Sequence, residues 1–166
     1  MVAVEINPFD FSRLGEQRDG EFAVSQLPRL AKECVDTSGL LRWRVGGGMH
    51  SGGYPQLLLA ITGEVCVTCQ RCLQPYICAI ASNATLLLAR NELQADQMEA
   101  MFDDDSLDVI AVASVVDLVQ LIEDEALLSM PQAPKHDRCP SGEAASQSEI
   151  ATKKLSPFAA LKKFGH

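Results

Sequence analysis

The chain has 166 residues, of which 47% are hydrophobic and 22% charged, and its formal net charge is −8 at pH 7. A chain of this length and composition can bury one good core, so we expect a single domain with loose ends. Its longest apolar stretches, such as residues 57–61 and 110–113, fall far short of the roughly 18 residues that span a bilayer. Residues 1–17 lack the features of a secretory signal, so we expect a cytoplasmic protein with no membrane span.

The charges are unevenly distributed along the chain. Residues 1–90 are neutral, whereas residues 91–134, here called the acidic segment, contain eleven acids and neither Lys nor Arg. Residues 135–166 carry six basic and three acidic side chains. Because carboxylates repel phosphate, any direct RNA contact must avoid the acidic segment, and a basic protein is the easier partner.

The first half of the chain predicts one short helix and three strands. Residues 1–20 show no clear period and suggest an extended entry with turns. Apolar residues at helical steps predict a helix over residues 25–34, whereas alternation predicts a strand over 40–46 and a flexible glycine turn over 46–53. Dense apolar and β-branched residues predict strands over 56–67 and 76–89.

The second half predicts a loop, a strand and the main helix. Residues 91–106, with three consecutive aspartates, have the composition of a mobile acidic loop. A further strand is predicted over 107–112. The form of a capping box at residues 114–117, followed by helical spacing, predicts a helix over 115–129 that ends before Pro131.

Together these elements predict an α+β fold, in which an antiparallel sheet of about four strands is covered by one main helix, with short helices near each end. Strands in sequence separated by short turns favour an antiparallel meander. Residues 1–139 are expected to form the domain. Residues 140–166 are expected to form a linker and a basic tail, whose short helix would begin near Ser156.

Two Cys/His pairs are the strongest candidates for a chemical site. Cys69 and Cys72 lie at the predicted turn, and His136 and Cys139 follow the main helix at the same spacing. Two intervening residues let both side chains of a pair converge on one ion, so the four residues predict one structural zinc, with Cys66 as a substitute ligand. Two alternatives remain: thiols that only fill a turn, or a redox pair, although a redox pair is usually found at a helix amino terminus.

Three sequence segments together resemble the YceD family, which is named for large ribosomal RNA subunit accumulation. These segments are VTCQRCLQPY at 67–76, VDLVQLIEDEALLSMPQAPKHDRC at 116–139 and SPFAALKKF at 156–164. The resemblance implies a bacterial cytoplasmic factor for the synthesis, processing or stability of large-subunit (23S) ribosomal RNA. It supplies no catalytic residues.

The remaining candidate residues are charged and concern partner binding. Carboxylates that can attract a basic large-subunit protein are Asp103, Asp104, Asp105, Glu123 and Asp124. The last two should face water, with Leu121 and Ile122 facing the sheet. A ribosomal RNA precursor is the competing partner, through arginines that could gather at one end of the sheet: Arg42, Arg44 and Arg71.

No sequence motif predicts an enzyme or a small-molecule substrate. The chain has no Gly-Xaa-Ser-Xaa-Gly element, no dinucleotide fingerprint and no phosphate loop. We therefore expect a protein that acts by binding.

Overall fold

The computed structural model of the protein describes residues 4–102, 107–112 and 114–140. The strands are β1 (Glu5–Ile6), β2 (Gln17–Ala23), β3 (Cys34–Asp36), β4 (Leu40–Met49), β5 (Pro55–Thr68), β6 (Pro75–Ala89), β7 (Leu107–Ala111) and β8 (Val116–Asp117). The helices are α1 (Pro8–Leu14), α2 (Pro28–Glu33), α3 (Glu92–Met101) and α4 (Leu118–Leu128), and a 3₁₀ helix spans Val24–Gln26.

A six-stranded sheet forms the centre of the fold. Its main path has the order β2-β4-β5-β6-β7, and β3 pairs with β5 beside that path. All pairs are antiparallel except β6 and β7, which are parallel and connected by α3. β1 and β8 form a separate two-stranded sheet. The expectation of about four antiparallel strands under one main helix is therefore wrong, because the described residues contain two sheets and several helices.

The alternation of β4 shows how the sequence builds the main core. Leu41, Trp43 and Val45 are buried, while Arg42 and Arg44 point to the opposite, exposed face. β5 and β6 continue the buried face with Leu57, Leu59, Ile61 and Ile80, among others. Helices α1, α2 and α4 contribute buried residues to the same cluster. Strands with one apolar and one polar side thus cover their apolar side with helices.

The glycines of residues 46–48 belong to β4, so the predicted flexible turn begins only after Met49. At Gly47 a Cβ atom would lie 2.3 Å from the carbonyl oxygen of Phe11. Glycine at this position lets α1 approach the strand backbone. The hydroxyl of Ser12 then donates to the carbonyl of Gln56 at 2.9 Å, which fixes the same helix against β5.

The predicted acidic loop over residues 91–106 is wrong over most of its length, because Glu92–Met101 is helix α3. Asn91 caps it by accepting from the Gln94 amide at 2.9 Å, and the Gln94 side chain accepts in turn from the Arg90 amide. Ala95 and Met98 are the buried residues of this helix, and they form a second small core with the end of β6. Asp103, Asp104 and Asp105 lie outside the described residues.

Helix α4 begins three residues later than predicted, with Asp117 as its cap. Leu121 is partly buried and Ile122 is fully buried, as expected. The prediction that Glu123 faces water is wrong, since this side chain is only 3% exposed. Its carboxylate accepts hydrogen bonds from the backbone amides of Arg29 and Leu30, at 2.6 and 3.1 Å, and from Nε of Arg29 at 2.9 Å.

Glu123 therefore performs the capping that α2 cannot supply for itself. The N-cap residue of α2, Leu27, has no side-chain acceptor, and the first amides of any helix lack partners within that helix. A carboxylate from α4 satisfies two of them and also favours the positive end of the helix. Asp124 is exposed, as predicted, and it also forms an ion pair with the Arg29 guanidinium.

Among the described residues, no helix is both long and apolar enough to span a membrane. The predicted linker after residue 140 and the tail helix near Ser156 lie outside the described residues, so both stay predictions.

The replacement Glu123→Gln should destabilise the protein by about 2 to 4 kcal/mol, because it removes the charge that accepts three buried or half-buried N–H groups. Asp124→Asn is the matched control, since Asp124 is the exposed neighbour and also contacts Arg29. Urea denaturation followed by circular dichroism measures both. Equal stability of the two variants would contradict the capping role.

Candidate metal centre

A tight turn between β5 and β6 carries the first cysteine pair. The Cys69 amide donates to the carbonyl of Gln74 and the Leu73 amide donates to the carbonyl of Cys69, both at 2.9 Å. These two bonds close the turn at the end of the longest hairpin in the fold. Cys69 is buried and Cys72 is half-buried.

Leu73 has a backbone conformation that is rare for a residue with a side chain, since its φ angle is +60°. This left-handed conformation costs an ordinary residue roughly 1 to 2 kcal/mol, and glycine usually takes such positions. The structure shows that the turn forms with leucine in that position, and its side chain is 73% exposed.

The segment that follows α4 packs against this turn. The amide of Gln70 donates to the carbonyl of Pro134 at 2.8 Å, and Nη2 of Arg71 donates to the carbonyl of His136 at 3.1 Å. The Tyr76 ring contacts the His136 ring edge-on, with centroids 5.1 Å apart. These contacts position the imidazole so that its Nδ1 lies 3.4 Å from Sγ of Cys72.

The residues of both predicted pairs come together in one group, here called the cysteine cluster. One ligand atom from each of Cys69, Cys72, His136 and Cys139 lies within 4.8 Å of all the others. Such a group could hold a metal ion. The predicted substitute, Cys66, is not a member: it pairs in register with Ile77 on β6 and precedes the turn by three residues.

Hydrogen bonds to the Cys69 sulfur favour its thiolate form. Burial alone raises the pKa of this thiol, but N–H donors of Cys72, His136 and Arg71 oppose that effect, as does the Cys72 side chain. The result lowers the pKa of Cys69 from an ordinary value of 9.0 to about 5. Thiolates are the form that binds metals and attacks electrophiles.

Two cysteines outside the cluster show the opposite behaviour. Burial raises the pKa of Cys78, and burial together with the nearby Cys66 sulfur raises the pKa of Cys34. These thiols lack the backbone donors that surround Cys69, so they stay protonated near neutral pH. The lowered pKa is therefore a property of the turn and of the segment packed on it.

The predicted arginine group is not brought together. Arg42 lies on β4 opposite Thr62, whereas Arg71 lies beyond the end of β5 at Thr68, about 20 Å away at 3.3 Å per residue. Arg42 forms an ion pair with Glu21 at 2.8 Å. Arg44 lies opposite Asp19 on β2, so the exposed face of these two strands carries both signs of charge.

Sequence reasoning placed all four cluster residues but missed what supports them. The contacts of Gln70 with Pro134 and of Arg71 with His136 join segments more than sixty residues apart. No local sequence pattern predicts such contacts. Partner binding by Arg71 stays a prediction, and in the structure its guanidinium donates a hydrogen bond to the backbone carbonyl of the cluster histidine.

The fold and the cluster define a class: a protein built on one large, mainly antiparallel sheet, with a Cys3His group at the tip of its central hairpin. Residues 57–165 match the family model described as large ribosomal RNA subunit accumulation protein YceD. The chain belongs to this family.

A curated relative supports the assignment across more of the chain. The protein named large ribosomal RNA subunit accumulation protein YceD from Haemophilus influenzae (strain KW20) is 28% identical over 159 residues, which cover 86% of this chain and 83% of the relative. No solved structure matches the chain significantly.

The metal-free protein should lose stability as the pH falls from about 9 towards 5. A pKa that is lower in the folded state stabilises that state fully above the unfolded value and not at all below the folded value. The measurements are thiolate absorbance at 240 nm and denaturation at several pH values. Cys69→Ser should remove the titration step near pH 5, and a Cys69 that titrates like an ordinary thiol would contradict the expectation.

Proposed function

We propose that this protein supports the accumulation of the large ribosomal RNA subunit in the bacterial cytoplasm, and that it does so by binding. The proposal rests on membership of the YceD family. The alignment with the relative of the same description covers most of this chain. The name of that relative concerns the ribosomal RNA itself. How this chain contributes is inferred below from its charges and contacts.

Binding is preferred over catalysis because the sequence offers no nucleophile motif, phosphate loop or dinucleotide fingerprint. The low pKa of Cys69 is compatible with a thiol redox enzyme as well as with a metal ligand. Two further observations favour the metal ligand. The thiol lies at a turn between strands instead of at a helix amino terminus, and a histidine and two more thiols surround it.

We infer that the direct partner is a Lys- and Arg-rich protein of the large subunit. The acidic segment has no basic residue, and its charges attract basic partners over long distances while they repel RNA. Glu123 is removed from the predicted contact set because its carboxylate is buried and engaged with α2. Asp103, Asp104, Asp105 and Asp124 stay in the set. RNA capture through the arginines is weaker as a proposal, because Arg42 is already paired and Arg71 is far from it.

A second candidate function is a structural zinc site, which is compatible with the first. The donor set of three thiols and one imidazole is one that tetrahedral Zn²⁺ prefers. Sulfur atoms around tetrahedral zinc are about 3.8 Å apart when each bond is about 2.3 Å, so the 4.8 Å limit of the cluster needs only a small contraction. Zinc held here would join the β5–β6 turn to the segment after α4.

Cys72→Ser and Cys139→Ser should each lower zinc content and thermal stability together, because metal binding at a structural site contributes directly to folding. Mass spectrometry of the purified protein under reducing conditions gives the zinc content, and calorimetry gives the stability. Cys66→Ser is the matched control, since Cys66 is a nearby thiol outside the cluster. Full stability of a metal-free preparation would refute the structural zinc.

Depletion of the protein from cells should lower the ratio of large-subunit to small-subunit ribosomal RNA.

A variant with amides at residues 103, 104, 105 and 124 should recover less basic large-subunit protein in a crosslinking pull-down, and added salt should slow the association. The fold should be unchanged. The competing RNA model predicts the reverse, with more RNA recovered from the neutralised variant.

A further inference from the structure

A groove of about 660 Å³ runs along the free edge of β7. Consecutive residues of the strand, Leu107 to Ile110, line it with side chains from both faces of the sheet. Helix α3 forms one wall with Glu99 and Phe102. Helix α4 forms the other wall. Its lining residues are Leu121, Asp124, Glu125 and Leu128.

The strand at the base of this groove has an unpaired edge. Among the described residues, β7 pairs only with β6, so the backbone groups on its other side have no strand partner. Such an edge is a template for another strand unless it is blocked. β2, at the opposite edge, is protected by charged residues, since Arg18, Asp19 and Glu21 lie on it. β7 carries one charged residue, Asp108, among apolar ones.

The charges of the groove all have the same sign. Among the residues that the structure describes, four carboxylates line it and no Lys or Arg does. Asp124 pairs with Arg29, and Glu125 accepts a short hydrogen bond from Ser82. Glu99 and Asp108 are exposed and have no ion pair or hydrogen bond to any residue in the described part of the chain. They leave negative charge available beside an apolar floor.

Apolar side chains are also exposed at the rim. Leu128 at the end of α4 is 80% exposed, although the preceding residue, Leu127, packs against the main core. A ligand with apolar side chains can bury Leu128 and the floor formed by Leu107 and Val109.

We propose that this edge groove binds an extended, lysine- or arginine-rich peptide segment of a partner protein, which adds as a strand to β7. Backbone hydrogen bonds would supply affinity, apolar side chains would enter the groove, and basic side chains would meet Glu99 and Asp108. A strand beside the five residues of β7 spans about 17 Å. The inference rests on the proposed function and deepens it, because it gives the basic partner a site.

The test uses three fluorescent nine-residue peptides and the full chain. The first alternates lysine and valine, the second replaces lysine by glutamate, and the third is the first with alternate backbone nitrogens methylated. Fluorescence anisotropy at low and at 300 mM salt measures each dissociation constant. The first peptide should bind, added salt should weaken it, and both other peptides should bind at least about tenfold more weakly, because charge or strand hydrogen bonds are missing.

Matched variants locate the site. The pair Glu99→Gln and Asp108→Asn should weaken the first peptide about tenfold, whereas Glu92→Gln and Asp96→Asn, which remove two exposed charges of α3 outside the groove, should not. Leu128→Ser should weaken binding as well. Its control is Leu93→Ser, which changes a leucine of α3 that is 68% exposed and lies outside the groove.

Four outcomes would overturn the inference. Equal binding of the glutamate peptide would contradict recognition by charge. Equal binding of the methylated peptide would contradict strand addition to β7. Binding of a single-stranded RNA that improves when Glu99 and Asp108 are neutralised would assign the groove to RNA. If the peptide binds only after Lys153, Lys154, Lys162 and Lys163 are replaced by glutamine, the occupant of the groove is this chain's own tail.

Complementation in depleted cells separates this inference from the proposed function. If depletion leaves the ribosomal RNA ratio unchanged while the peptide binds the groove, the proposed function fails alone. If depletion lowers the ratio but the Glu99 and Asp108 variant restores it fully and binds no less peptide, the groove inference fails alone.

Discussion

The pairing of β5 with β6 is the constraint on which the rest of the structure depends. These two strands are 14 and 15 residues long, and their register is continuous from Gln56 opposite Leu87 to Thr68 opposite Pro75. One-residue slippage would turn every buried side chain of either strand to the exposed face. The same register places Cys69 and Cys72 at one end of the hairpin and sends the chain into α3 and β7 at the other.

Strands were predictable from the sequence where one face is buried and the other is exposed. Leu41, Trp43 and Val45 alternate with arginines, and this pattern fixes both the strand and its orientation. Helix α3 was missed because its buried stripe consists of only Ala95 and Met98, too narrow to show a helical period. A local signal did exist: Asn91 followed by Gln94 has the form of a reciprocal cap.

That missed helix accounts for the error in topology. Antiparallel neighbours can be joined by a short turn, but parallel neighbours need a crossover of a dozen or more residues. Once residues 92–101 are helical, the segment after β6 is such a crossover, and β7 returns beside β6 in parallel. The candidate site was better predicted, because two close Cys/His pairs specify their own local geometry. Long-range features, such as the capping of α2 by Glu123, leave no comparable trace in the sequence.

The acidic segment also shows that carboxylates of one stretch can have opposite physical roles. Glu123 is buried where it meets backbone amides, since an uncompensated buried charge would be destabilising. Asp117 caps α4, and Asp124 pairs with Arg29. Glu123 and Asp117 cap helices and stabilise the fold, whereas the ion pair of Asp124 is exposed and contributes little to stability. Glu99 and Asp108 contribute no described contact and only add negative charge along the edge of β7.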